Sequence, residues 1–528
     1  MEERENILIN LSNLFEKGLS DPLRKSLIGE KIDRILTKYF DRISPEQLAS
    51  ALLSRYGSDL FKPKYRILET IVNRLDSNEI KNLAYYLNVS TSANNIYDVV
   101  IEKIPTNIDS FLKYFEQSSY FLQQKPKDER KSQEKISIDY GQSINSLGFP
   151  HGYQNRVKLE VLNQLKKSSG KFSALVVMPT GSGKTRTAIE FMIDFIRNKR
   201  SCNILWIVDS PELSEQSLKS FKELWLLRGD REIIVNRCYG KFEPFIKNSQ
   251  DLNIIFAGFD KLNGLRQNSS DSYEKISKNT HLLIIDEAHY SLAETYEELV
   301  DDIERKSKDL IKIGLTATPL RPDDTEFYNL KKYFDNRIID FKDDANKIIK
   351  DPLKHLQKND YLAEIIPEYF SIKESEIHED SRELNDKIIE RLKVSVSKNK
   401  QVIVFAMSKY HAIALNILFK HENIDSDCIV GETSSLDRQN IFDRFLDKQL
   451  NVIVNFDILS TGIDLPKVDE LFLLRKFGQY TTAMQVLGRA LRGLKNGGNK
   501  ENRVISLKSN QQIIDNPSDL FILIKNMY

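Results

Sequence analysis

From its first residues to about position 123, the chain places apolar side chains at helical spacing. Ile32, Ile35, Leu36 and Phe40 form one such stripe, and Ile67, Leu68, Ile71, Val72 and Leu75 form another. Asp76 and Glu79 stand three apart just before Ile80, Leu83 and Leu87, the spacing of a capping box that opens a helix. The pattern predicts an all-α region over 1–123, with a turn at 90–95 and a further helix carrying Ile96, Val99 and Val100. That helix pair reads either as plain packing or as a small unit that binds DNA or a protein partner. Residues 123–135 offer no large apolar side chain and predict a flexible linker, drawn here as 124–139.

Beyond the linker the period changes. Short runs rich in Ile, Val and Leu, at 174–178, 204–208, 254–257, 282–285 and 311–315, alternate with helical stretches. Such alternation predicts βαβ units around a buried parallel sheet, and so an α/β class. A second series at 402–405, 428–430, 452–454 and 471–474 predicts a second sheet. The mixed stretch 323–369 is expected to join them. The domains are therefore drawn as 140–345 and 346–528, after the helical region.

Composition narrows the picture only a little. A chain of 528 residues holds three domains at about 100–200 residues each. Lys and Arg number 77 against 76 Asp and Glu, for a net charge of +1. A protein that grips nucleic acid through bulk charge is more basic than this, so any such contact must come from a local groove. Cys202, Cys238 and Cys428 are too scattered for a disulfide framework or a metal-binding pair. The opening residues are charged, and no apolar run approaches the ~20 residues that cross a bilayer. The expectation is a soluble, cytoplasmic protein without membrane contact.

The chemistry begins at Met178-Pro179-Thr180-Gly181-Ser182-Gly183-Lys184-Thr185, between a predicted strand and a predicted helix. In that setting a glycine-rich turn becomes a phosphate-binding loop, because Gly181 and Gly183 let backbone N–H groups close on phosphate oxygens at the helix's positive end. Lys184 then meets the β and γ phosphates of ATP, and Thr185 offers a hydroxyl to Mg²⁺. Met178 stands where such loops usually begin with Gly. Further on, the apolar run 282–285 ends in Asp286-Glu287-Ala288-His289. Two acids at the carboxyl end of a buried strand suit Mg²⁺ binding by Asp286 and activation of the attacking water by Glu287. His289 is read as coupling this site to the next motif.

With both motifs in place the chain resembles superfamily 2 helicases, and the remaining motifs follow in that family's order over roughly 140–528. Gly314-Leu315-Thr316-Ala317-Thr318-Pro319 resembles motif III, and Phe149-Pro150-His151-Gly152-Tyr153-Gln154 resembles the segment in which Gln154 would read adenine. The stretch from Ser210 to Gln216 looks like motif Ia, expected at the nucleic-acid backbone, and that from Val402 to Ala406 like motif IV. Thr461-Gly462-Ile463-Asp464-Leu465-Pro466 resembles motif V, with Gly462 near ATP and Asp464 at the ribose. Gln485-Val486-Leu487-Gly488-Arg489-Ala490-Leu491-Arg492 resembles motif VI, whose Arg489 and Arg492 would be fingers on the transferring phosphate.

The resemblance implies two RecA-like domains in tandem that share one nucleotide and convert its hydrolysis into stepping. Within the superfamily the chain is most similar to the motor subunits of restriction enzymes and to XPB-type translocases. This similarity implies a DNA helicase or duplex-DNA translocase acting in phage defence, restriction or DNA repair. Duplex DNA is favoured over single strands, with a protein partner, such as a nuclease, at the helical region. RNA-dependent ATPase activity, or an ATP-gated clamp that recruits a partner, are the other readings. If the helical region is a targeting or partner module, deleting 1–123 is expected to leave basal ATPase measurable.

Overall fold

The computed structural model describes residues 2–90, 95–122, 130–137, 148–199, 201–244, 252–316, 325–339, 341–343, 347–456, 468–474 and 492–508. Motif V and motif VI up to position 491 therefore lie outside the described residues, and with them Gly462, Asp464 and Arg489.

The first sheet contains β1 (Gln133–Ile136), β2 (Phe172–Val177), β3 (Asn203–Val208), β4 (Ile233–Cys238), β5 (Asn253–Gly258), β6 (Thr280–Ile285), β7 (Ile311–Thr316) and β8 (Ile338–Ile339). Their order is β1-β4-β5-β3-β6-β7-β2-β8, and every pairing is parallel except β1 with β4. The second sheet contains β9 (Glu364–Ser371), β10 (Val402–Phe405), β11 (Ser426–Ile429), β12 (Val452–Asn455), β13 (Glu470–Leu473) and β14 (Glu501–Lys508). All its pairings are parallel, in the order β11-β12-β10-β13-β14-β9. These are two RecA-like α/β lobes in tandem, preceded by helices.

Both sheets are covered on their two faces, which is why their strands read as unbroken apolar runs. In β10, Ile403 and Phe405 face one core while Val402 and Val404 face the other. Strands β9 and β14 escaped the sequence pattern because they mix polar and apolar positions. Strand β9 also contains Pro367, which is tolerated because β9 is an edge strand.

Part of the stretch expected to be a flexible linker is strand β1, on the edge of the first sheet. Ile136 anchors it in the core, and charge holds the rest. Arg237 on β4, only 3% exposed, meets Glu134 at 2.8 Å and Glu215 at 3.0 Å, and donates to the Lys131 carbonyl at 3.0 Å.

The helical region lies against the second lobe. The helix Lys409–His421 is almost wholly buried between the second sheet and the helices Glu30–Thr37 and Pro45–Tyr56, and all three share one core. At the rim of this contact Asp437 accepts from the Ser58 hydroxyl at 3.0 Å, the Ser434 hydroxyl at 2.7 Å and the Tyr120 hydroxyl at 2.5 Å. Asp380 adds Arg34 at 2.9 Å and Lys38 at 3.2 Å. The expected capping box is formed: Asp76 accepts from the Glu79 backbone N–H at 2.9 Å, and Glu79 accepts from that of Asp76 at 2.7 Å. No helix among the described residues is long and apolar enough to cross a membrane.

Candidate nucleotide site

Strand β2 runs straight into the phosphate loop, and the helix Lys184–Arg197 leaves it. Met178, the unusual first residue, is fully buried, and its N–H donates to the Thr316 carbonyl at 3.1 Å. An apolar side chain there anchors the loop to β7, so the departure from Gly costs the turn nothing. Gly181 and Gly183 take φ values of 79° and 82°. At Gly183 a Cβ would also lie 2.4 Å from the Gln154 amide nitrogen, so two constraints require glycine. The loop closes on itself where the Ser182 hydroxyl donates to the Pro179 carbonyl at 2.6 Å.

Gln154 sits under this loop rather than beside it. Its Nε2 donates to the Ser182 carbonyl at 2.9 Å, and its Oε1 accepts from the His151 N–H at 2.9 Å. The Tyr153 hydroxyl donates to the same Ser182 carbonyl at 2.7 Å. The residue expected to read adenine is thus also a strut holding the loop's shape.

Strand β6 delivers the two acids. Asp286 continues the sheet through its N–H to the Ile207 carbonyl at 2.9 Å, and one of its carboxylate oxygens lies 3.5 Å from the Thr185 hydroxyl. Burial, and then the neighbouring Glu287, push its carboxyl up to about 6, against the pull of Lys184. Glu287 holds φ at 50°, a left-handed conformation that costs a non-glycine residue about 1–3 kcal/mol. That bend places its carboxylate 3.7 Å from the Lys184 ammonium and 3.6 Å from His289 Nδ1. His289 is buried, and burial lowers its pKa below the usual value. Neither of its ring nitrogens has a hydrogen-bond partner among the described residues, and the buried Thr180 hydroxyl lacks one as well.

Unsatisfied buried polar atoms around a lysine and two acids mark a place built for a further polar group. Thr185 and Asp286 supply hard oxygen donors of the kind Mg²⁺ takes, and the glycine loop stands at the N-terminal end of the helix Lys184–Arg197, where the helix dipole favours phosphate oxygens. Thr180, Gly181, Ser182, Gly183, Lys184, Thr185, Asp286, Glu287 and Gln154 are therefore brought together.

Other expected residues lie elsewhere. Ser210 caps the helix Pro211–Arg228, accepting from the Leu213 N–H at 3.3 Å. Glu215 of motif Ia serves the Arg237 network described above. Arg492 is half-buried, and burial lowers its guanidinium pKa. Its backbone bridges that of Leu362 in the connection between the lobes.

The sequence reading missed Asn496 and Tyr361, which bring the Arg492 segment to the first lobe. The Asn496 side-chain oxygen lies 2.8 Å from His151 Nε2, and the Tyr361 ring stands edge-on to Tyr153 at 4.9 Å. No spacing rule reveals a contact between residues 345 positions apart.

Comparisons with known proteins agree with this architecture. Residues 149–321 match the res subunit of type III restriction enzymes, and residues 383–493 match the helicase conserved C-terminal domain. The type I restriction enzyme EcoKI endonuclease subunit of Escherichia coli is 25% identical over 374 residues, which cover 61% of this chain and 31% of that protein. The DNA 3'-5' translocase XPB2 of Sulfurisphaera tokodaii is 24% identical over 402 residues, covering 66% of this chain and 82% of its own. The ATP-dependent type ISP restriction-modification enzyme LlaBIII, solved bound to DNA, shares the fold. It has a TM-score of 0.51 and 14% identity, covering 72% of this chain and 30% of that one. The chain spans half or less of the length of several curated relatives it matches. It belongs to helicase superfamily 2, in the branch related to restriction-enzyme motor subunits and XPB translocases.

Proposed function

We propose that the chain is an ATPase driven by nucleic acid, and that it couples hydrolysis to movement along DNA. The observation that carries this reading is the assembly of Lys184, Thr185, Asp286 and Glu287 around the glycine loop of one lobe, with a second RecA-like lobe carrying Arg492. Lys184 would hold the β and γ phosphates, while Thr185 and Asp286 would hold Mg²⁺. When bound there, the ion supplies positive charge that offsets the developing charge on the phosphates. Glu287 orients the attacking water and takes its proton. Arg489 and Arg492 would act from the second lobe on the transferring phosphoryl group, with Gly462 near ATP and Asp464 at the ribose. Hydrolysis would then open and close the cleft between two grips on the strand.

DNA, duplex before single strands, is the proposed track. This rests on the relatives named for restriction and DNA translocation, and on shared architecture with an enzyme solved on DNA. The same relatives suggest a place in phage defence, restriction or repair beside a protein partner such as a nuclease. The deciding experiment measures ATP turnover against duplex DNA, single-stranded DNA and RNA in parallel, followed by displacement of a third strand from duplex DNA. Strongest activation by duplex, with displacement, is expected. Activation by RNA alone would transfer the reading to an RNA-dependent ATPase. Turnover on DNA without displacement would indicate a clamp.

A further inference from the structure

A continuous set of contacts leads from the phosphate loop to the segment carrying Arg492. The Ser182 carbonyl receives two donors, Tyr153 and Gln154, and the other end of the Gln154 amide is held by the His151 backbone N–H. The His151 ring then reaches the second lobe through Nε2 to the Asn496 side-chain oxygen, 2.8 Å away. That oxygen can only accept, so His151 carries its proton on Nε2. The Asn496 amide in turn donates to the Tyr361 carbonyl at 2.7 Å, which also receives the Gly493 N–H at 3.1 Å.

Arg492 is fastened by the same short stretch. Its backbone bridges Leu362, and the Lys495 N–H donates to the Asp360 carbonyl at 3.0 Å. The approach is so close that a Cβ at Gly493 would lie 2.5 Å from the Asp360 carbonyl oxygen. Rings cover the polar contact: Tyr361 lies 4.6 Å from His151, and the Lys495 ammonium sits 4.4 Å from the Tyr361 centroid. Among the described residues, the His151–Asn496 hydrogen bond and the ring cluster around it tie the Arg492 segment to the first lobe.

We infer that His151 and Asn496 are positioning residues which seat the arginine-bearing segment of the second lobe against the phosphate loop, and so set the rate of ATP turnover rather than ATP affinity. The inference rests on the proposed ATPase reading. ATP is bound mainly by first-lobe groups, which neither side chain replaces. An arginine acting in the transition state needs its geometry held closely, and a misplacement of about 1 Å can cost a hundredfold in rate.

The test is steady-state ATPase of the full chain with the nucleic acid that best activates it. Asn496→Ala and His151→Ala are each expected to lower kcat by about tenfold, with KM for ATP within about twofold and the melting temperature unchanged. The double variant should fall well short of the product of the two single losses, since both remove the shared bond and differ only in the further contact each makes to Tyr361. His151→Gln keeps an N–H donor at similar reach and should recover most of the loss. Multiplying effects in the double variant, a raised KM at unchanged kcat, or full kcat in Asn496→Ala would each overturn the inference. If wild-type turnover ignores nucleic acid, the proposed function fails while the variants still decide this point on basal kcat. A wild-type chain with no turnover sinks both.

Discussion

Glu287 concentrates the cost and the purpose of the site in one residue. Its left-handed backbone turns a carboxylate away from the sheet's continuation and toward Lys184 and His289, and the strain is sustained by the packing of β6 beneath it. If Glu287 takes the proton of the attacking water, Glu287→Gln should retain ATP binding while turnover drops by roughly 10²–10⁴-fold. Nucleotide titration set beside a single-turnover assay checks this, and unchanged turnover would remove Glu287 as the base. These residues were legible in the sequence because their chemistry is local. Loop glycines, lysine and threonine are consecutive, and the acids end an apolar run. His151, Tyr361 and Asn496 were not legible in that way, since their meaning comes only from a long-range approach.

Among the elements, the helix Lys409–His421 shows how an apolar stripe can hide a titrating group. His411 is fully buried on it, accepting from the Met407 N–H at 3.3 Å and donating to the Asn385 side-chain oxygen at 2.9 Å. Burial pulls its pKa down to about 3. The folded protein therefore keeps His411 neutral, while the unfolded chain takes up a proton near the ordinary histidine value of 6.5. Stability from this group is complete above that value and is lost as pH falls toward the folded one. Between pH 7.5 and 5.5 the wild type should lose about 1.4 kcal/mol more than His411→Gln. Urea unfolding at the two pH values checks this; equal losses in both proteins would contradict the neutral buried state. The strands anticipated from the sequence were those buried on both faces, where apolar runs are unbroken. Strand β1 was read as linker because it offers one core residue, Ile136, and its charged Glu134 finds its partner Arg237 only about a hundred positions away.

At the scale of the whole molecule, the helical region behaves as an outer layer of the second lobe. The sequence showed its helices but not their berth, because a stripe that faces its own neighbours and one that faces another domain look alike. The berth changes what truncation should do. Removing residues 1–122 strips the helices Glu30–Thr37 and Pro45–Tyr56 from the buried surface around Leu415, Leu418 and Phe419, and leaves Asp437 without Ser58 and Tyr120. The truncated chain should aggregate or melt well below the full one, with ATPase lost in step, contrary to the expectation of an intact basal activity. Size-exclusion chromatography with a thermal melt checks this; a monodisperse truncation with an unchanged melting temperature would show the layer to be dispensable.

Strand β4 carries Ile233, Ile234 and Val235, yet it is not the outermost strand, because β1 lies along it in the opposite direction. A bare β4 would expose a row of unpaired amides and carbonyls to any other extended chain. The strand that covers it brings the exposed Lys135 to the margin, a charge that discourages another strand from adding on. The connecting segment thus works as a selvedge, finishing the first sheet so that sister molecules cannot stitch themselves to it.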